Sequence, residues 1–186
     1  MATREDILAA AQRHLNVDPR ASMAVLAAAA GVGRATLHRH FASREDLLHE
    51  LGTRSLDRWE ASLDAAGADE CAASGDPDRL RGCLHDLMSR YLLDADDFGF
   101  ALTDGYLTSA ADLIARSDRL FDREVALWAA AQAAGVLRAD VPARWLGHAV
   151  YGVLVAAREA LREGDVARRD LDAMVLSTFL EGGAAR

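Results

Sequence analysis

Gly31-Val32-Gly33 leaves only three residues between two short segments whose apolar side chains recur at helical spacing, and that join constrains the chain more than any other feature. Before it, Met23, Leu26, Ala27 and Ala30 keep one apolar side. After it, Leu37 and Phe41 lie four apart and share a face, while Arg34, Ala35, Thr36, His38, Arg39 and His40 point elsewhere. Glycine most easily adopts the left-handed conformation that ends a helix or makes a tight turn, so Gly31 fits the stop of the first segment. Thr3-Arg-Glu-Asp6 has capping-box spacing and opens an earlier helix over 4–16, stopped by the residues up to Pro19. Ser43-Arg-Glu-Asp46 repeats that spacing and opens a long helix through Leu47, Leu48, Leu51, Leu56, Trp59 and Leu63.

Beyond that helix, residues 67–77 (GADECAASGDP) read as a small, acidic connector. The boundary is set at residue 64, with a helix-turn-helix domain and its linking fourth helix over 1–64 and a second helical domain over 65–186. Helical spacing continues over 78–93, 98–107 and 113–134. Pro142 suits the start of another helix that lasts to Gly164, and a last one covers 168–180. Ala and Leu number 39 and 26, against 13 for Val and Ile together, which favours helices over strands. The expectation is an all-α protein of about nine helices. Uncharged stretches reach only 13 residues, short of the roughly 20 that cross a bilayer. The N-terminus lacks a basic start and an apolar run, so the chain is expected in the cytoplasm, with no membrane partner.

The net charge of -8 hides an asymmetry. Residues 19–44 contain no Asp or Glu but hold Arg20, Arg34, Arg39 and Arg44, a local +4, which leaves -12 for the remainder. This acid-free window coincides with the two joined helices. A second short helix that is apolar inside and basic outside is the pattern of a helix-turn-helix whose second helix enters the DNA major groove. Arg34 and Arg39 suit phosphate or the acceptor edge of guanine, Thr36 suits phosphate, and Ala35 allows close approach or contact with a thymine methyl group. His38 and His40, two apart on a helix, face different directions and have no third ligand nearby, so neither a metal nor a cofactor is expected. Cys71 and Cys83 lack metal or redox-motif spacing and read as buried or idle thiols.

The run SMAVLAAAAGVGRATLHRHFASREDLLHEL over residues 22–51 resembles the DNA-binding signature of the TetR/AcrR family of transcriptional regulators, notably at Ala30-Gly31-Val32, Thr36-Leu37, Arg39-His40-Phe41 and Ser43-Arg44-Glu45. The resemblance implies that Thr36, His38, His40 and Arg44 grip the DNA backbone while Arg34, Ala35 and Arg39 face the bases. It further implies a repressor that binds a palindromic operator in double-stranded DNA as a homodimer and is released by a small-molecule effector. The chain departs from the signature at Gly33, often Ser or Thr, at His38, usually Tyr, and at Ala42, often Pro.

In the second domain, Ala149, Val150, Val153, Leu154 and Leu161 on one helix and Leu171, Met174, Val175 and Phe179 on the next are the expected dimer face. Tyr91, Phe98, Phe100, Asp104, Tyr106, Trp128 and His148 are the aromatic and polar residues expected to contact an effector. An alternative helical enzyme rests on Asp86, Asp104 and His148 as acid or base groups, without a nucleophile, metal or phosphate loop, and the chain is expected to be no enzyme. A protein-binding adaptor that keeps the helix-turn-helix only as scaffold is the other alternative.

Overall fold

A computed structural model describes residues 2–182, and within them every regular element is helical. The first three helices are α1 (Arg4–Val17), α2 (Met23–Ala29) and α3 (Arg34–His40). They are followed by α4 (Arg44–Ala65), α5 (Ala68–Ser74) and α6 (Pro77–Phe98). A 3₁₀ turn over Gly99–Leu102 precedes α7 (Ala111–Ala133), α8 (Ala143–Glu163) and α9 (Arg168–Leu176), which runs on into a π-helical turn, Ser177–Glu181. The all-α expectation of about nine helices holds.

Local chemistry sets the first boundaries. Thr3 Oγ1 accepts from the Asp6 N–H at 3.1 Å and the Asp6 carboxylate accepts from the Thr3 N–H at 2.8 Å, so both halves of the capping box form. Ser43 and Asp46 make the same exchange at 3.0 and 3.1 Å. At the end of α2 the Gly31 N–H donates to the Ala28 carbonyl and the Val32 N–H to that of Ala27, which is a Schellman closure around Gly31 at φ 66°. Gly31→Ala is expected to lower stability by about 1–2 kcal/mol, the cost of a left-handed residue with a Cβ. Gly33 sits at φ -72° as an N-cap without a side-chain bond, and its Cβ position faces open space. Gly33→Ser is therefore expected to raise stability by a few tenths of a kcal/mol. Urea titration of the two variants checks both values.

Two compact units emerge, one of Met1–Asp57 with Asp96–Arg116 and the other of Arg58–Ala95 with Ser117–Arg186. The sequence reading cut the chain once, at 64/65; the fold instead recruits residues 96–116 to the N-terminal unit. The reason is apolar. Phe98, Phe100, Leu107 and Leu113 are buried in one cluster with Ile7, Leu8 and Leu15 of α1, Leu26 of α2, Leu37 of α3, Phe41, and Leu47, Leu48 and Leu51 of α4. Full burial of each such side chain contributes about 1.5–3 kcal/mol, enough to outweigh proximity in sequence. Gly52 of α4 permits this approach, because a Cβ there would lie 2.5 Å from a Leu107 methyl group and 2.9 Å from one of Leu113.

The connector expected over 67–77 contains α5, held by buried Ala68 and Cys71. The helix expected over 98–107 is broken: Asp104 Oδ1 accepts from the N–H groups of Tyr106 (2.9 Å) and Leu107 (3.4 Å), drawing the backbone into a turn. In the second unit the buried set includes Leu63, Leu80, Leu84, Leu87, Leu120, Leu127, Trp128, Leu146, Val150 and Leu154. Among the described residues no helix is long and apolar enough to cross a membrane.

Candidate nucleic-acid interface

The first unit presents α3 on a rigid base. Leu37 and Phe41, 0% and 2% exposed, anchor its inner side, and Arg4 places its guanidinium 4.7 Å from the Phe41 ring centroid. Arg34, Ala35, His38 and Arg39 are exposed, whereas Thr36 and His40 are half-buried. Among the described residues Arg13, Arg20, Arg34 and Arg39 have no acidic partner, while arginines beyond residue 40 mostly do, as Arg54, Arg58, Arg123 and Arg144 illustrate. Unpaired guanidinium groups on one small unit are available to an external anion without first breaking an ion pair. His40 differs: its Nε2 is shielded from solvent and has no partner among the described residues.

Arg44 faces inward. Its Nε donates to the Ala21 carbonyl at 3.2 Å and its terminal nitrogen to that of Pro19 at 2.6 Å, with the buried Asp104 carboxylate 3.7 Å away. The side chain thereby fastens the loop before α2 to the start of α4. Sequence reasoning missed this, and missed Asn16 as well. Asn16 donates to the carbonyls of Asp96 (3.0 Å) and Asp97 (2.8 Å) and accepts from the Phe100 N–H (3.1 Å), tying α1 to residues 96–100. His49 bonds Asp112 at 2.7 Å, and that bond holds the Asp112 carboxyl below its ordinary value. No local periodicity signals such contacts, because the partners lie 23 to 84 residues apart.

The seven residues expected to contact an effector fall in both units. Phe98 and Phe100 belong to the core of the first unit, where Asp104 organises a turn and Tyr106 packs against that core. Tyr91, Trp128 and His148 lie in the second unit, where His148 is exposed and stacks 5.0 Å from Phe121. The polar centre of that unit is a residue the sequence reading passed over. Glu124 is 3% exposed, and burial pushes its carboxyl up to about 8, opposed in part by the Tyr91 hydroxyl. Tyr91 accepts in turn from the Trp59 indole N–H at 2.8 Å, and burial drives its hydroxyl well above the ordinary tyrosine value. One turn beyond Glu124 on α7, the fully buried Trp128 keeps an indole N–H with no partner among the described residues and meets Phe179 edge-on at 5.6 Å.

On α8 and α9, Val150, Leu154, Leu171, Val175 and Phe179 are buried within this one chain. Ala149, Val153 and Leu161 are half-buried, and Met174 is 45% exposed. Trp145 and Tyr151, absent from the sequence reading, are 59% and 45% exposed.

Two short helices closed by a Schellman turn, the second basic and outward-facing, define a helix-turn-helix protein. Residues 7–51 match the family model described as bacterial regulatory proteins, tetR family. A relative 27% identical over 179 residues, covering 94% of this chain and 87% of its own, is the HTH-type transcriptional repressor LfrR of Mycolicibacterium smegmatis. Over residues 7–51 the chain is thus similar to the bacterial regulatory proteins of the tetR family. Solved structures of similar fold include the TetR-like regulator LfrR from Mycobacterium smegmatis in complex with proflavine, with a TM-score of 0.76, 24% identity and 98% and 97% of the two chains covered. Another is AibR in complex with isovaleryl coenzyme A and operator DNA, with a TM-score of 0.72, 18% identity and coverages of 95% and 97%. PfmR from Thermus thermophilus superposes with a TM-score of 0.69 at 24% identity, over 100% and 99% of the chains.

Proposed function

We propose that the chain is a repressor that binds a palindromic operator as a homodimer and is released by a small-molecule effector. The observation that carries this reading is the exposed face of α3, where Arg34 and Arg39 stand without acidic partners in a window free of Asp and Glu. Arg34, Ala35 and Arg39 face the bases, and Thr36, His38 and His40 lie toward the DNA backbone. Arg44 acts from behind, holding the loop before α2 in place. A regulator of repressor type as a relative, and a fold neighbour described with operator DNA, support the same reading.

One recognition helix spans few base pairs, so a second copy is needed to double the contact. Trp145, Tyr151 and Met174 give α8 and α9 an apolar outer face, which a partner copy covers, with Ala149, Val153 and Leu161 at its margins and the buried Val150, Leu154, Leu171, Val175 and Phe179 supporting it from within. The effector site centres on Tyr91, Glu124 and Trp128 of the second unit, where a buried carboxyl and an indole N–H without a partner among the described residues set polar groups in an apolar interior. Release requires only that the effector bind more tightly to the arrangement that does not fit DNA.

The chain is read as non-catalytic. Asp86 is paired with Arg90 at 2.8 Å, Asp104 caps a turn, and His148 stacks on Phe121, so the three residues of the enzyme alternative have separate structural tasks.

Selection of bound genomic fragments tests the proposal. An inverted repeat is expected, with half-sites about one helical turn apart, and with about six phosphate contacts log K should fall against log salt with a slope near -5. Recovery of no enriched sequence overturns it in favour of the adaptor reading.

A further inference from the structure

Arg44 opens α4, yet its side chain is only 27% exposed, and its two bonds run to the carbonyls of Pro19 and Ala21, the residues that flank Arg20. The rest of that loop is fixed as well. The Asp18 carboxylate accepts from the Arg20 N–H at 3.0 Å, the Asp18 carbonyl accepts from the Ala21 N–H at 3.1 Å, and Ala21 is 2% exposed. Pro19 adds a φ locked by its ring. The backbone is thus held on both sides of Arg20, while the Arg20 side chain is exposed and has no acidic partner among the described residues. Two residues further on, Ser22 caps α2, which packs against α3.

We propose that Arg20 contacts a DNA phosphate and that Arg44 positions it, so that the backbone contact which the resemblance assigns to position 44 is made in this chain from the loop before α2. The proposal rests on the reading of α3 as the recognition helix. A guanidinium with no ion pair to break can meet phosphate oxygens with two parallel N–H donors. Because the loop beneath it is already ordered, such a contact costs only the rotamer freedom of one side chain. Arg44 is poorly placed for the same task. Turning it outward would strip the Pro19 and Ala21 carbonyls of their donor and leave the buried Asp104 carboxylate without the cation 3.7 Å away. A phosphate contact at Arg20 carries no sequence information of its own; it fixes how the α2 and α3 pair is seated on the duplex.

Salt titrations of DNA binding by the full-length protein test this, on the selected operator and on an unrelated duplex. Arg20→Ala removes one phosphate contact from each copy, so affinity is expected to fall about 10–100-fold at about 0.1 M salt, on both duplexes alike, and the slope to flatten from about -5 to about -3.5. Arg20→Lys keeps the charge and is expected to hold the slope, with affinity within about threefold of the parent. Arg44→Met is expected to flatten the slope by a similar amount, and Arg20→Ala added to it to cost less than about twofold more. Should Arg44→Met unfold the unit, Arg44→Gln carries the same comparison. Unchanged affinity and slope for Arg20→Ala, beside a clear loss for Arg39→Ala with Thr36→Ala, would overturn this proposal and leave the reading of α3 standing; a parent protein that binds no operator overturns both. A loss confined to the operator with an unchanged slope would make Arg20 a base contact instead, and fully additive losses at positions 20 and 44 would show that Arg44 grips the DNA itself.

Discussion

Arg39→Ala combined with Thr36→Ala is expected to weaken operator binding by about 10²–10⁴-fold while leaving the fold intact. The magnitude follows from the chemistry of the lost groups. A guanidinium that meets the acceptor edge of guanine with two hydrogen bonds is worth about 1–3 kcal/mol, and a two-fold dimer loses one from each copy. Stability should be untouched, because Arg39 is exposed and has no acidic partner among the described residues, and the inner side of α3 rests on Leu37 and Phe41. The control is Arg81→Ala on α6, which removes an exposed arginine paired with Asp78 and should leave binding unchanged. Salt dependence separates the two possible roles of each arginine. Loss of a base contact lowers affinity at every salt concentration without altering the slope, whereas loss of a phosphate contact flattens the slope by about 1. Retention of full affinity by the double variant would remove α3 from the interface.

What the sequence made legible was local. Thr3 with Asp6 and Ser43 with Asp46 announce helix starts because the partners are three residues apart, and Gly31 announces a stop because few residues tolerate its backbone. The exposed basic face of α3 was legible too, since Leu37 and Phe41 fix which side turns inward. Long-range polar contacts left no such trace. Arg44 looks like one more cation of the basic window, yet it is spent on the carbonyls of Pro19 and Ala21; Asn16 looks like a helix terminator, yet its amide reaches Asp96 and Asp97. Phe98 and Phe100 read as pocket aromatics because apolar periodicity records that a side chain is buried without recording which core receives it. Glu124 was invisible for a related reason: an acid among helical residues is ordinarily at the surface, and only the packing of Tyr91 against it shows otherwise.

Glu124→Gln is expected to stabilise the protein at neutral and alkaline pH. In the fold, burial holds the Glu124 carboxyl at about 8, against 4.5 when the group is unperturbed, and the Tyr91 hydroxyl recovers only part of that cost. Below pH 4.5 the carboxyl is neutral in both folded and unfolded chains and contributes no penalty. As pH rises from 4.5 to 8 the unfolded chain ionises while the folded one stays neutral, so the unfolded state binds fewer protons and stability declines, by up to about 1.4 kcal/mol per pH unit. Above 8 both states are ionised and the penalty is constant. Glutamine has the same shape, keeps an oxygen for the Tyr91 hydroxyl and does not titrate. The variant should therefore exceed the parent by about 3 kcal/mol at pH 7, seen as a Tm about 5–10 °C higher, with the difference closing toward about pH 4. Paired melts from about pH 4 to 9 measure it, and identical pH profiles would show that water reaches the carboxyl in the fold. A side chain that costs this much where a glutamine would serve the packing is better accounted for by a ligand than by the core. This is the physical ground for centring the proposed effector site on Glu124, and it sets a second readout for the same variant: the effector that releases the protein from its operator should lose potency on Glu124→Gln even as the fold gains stability.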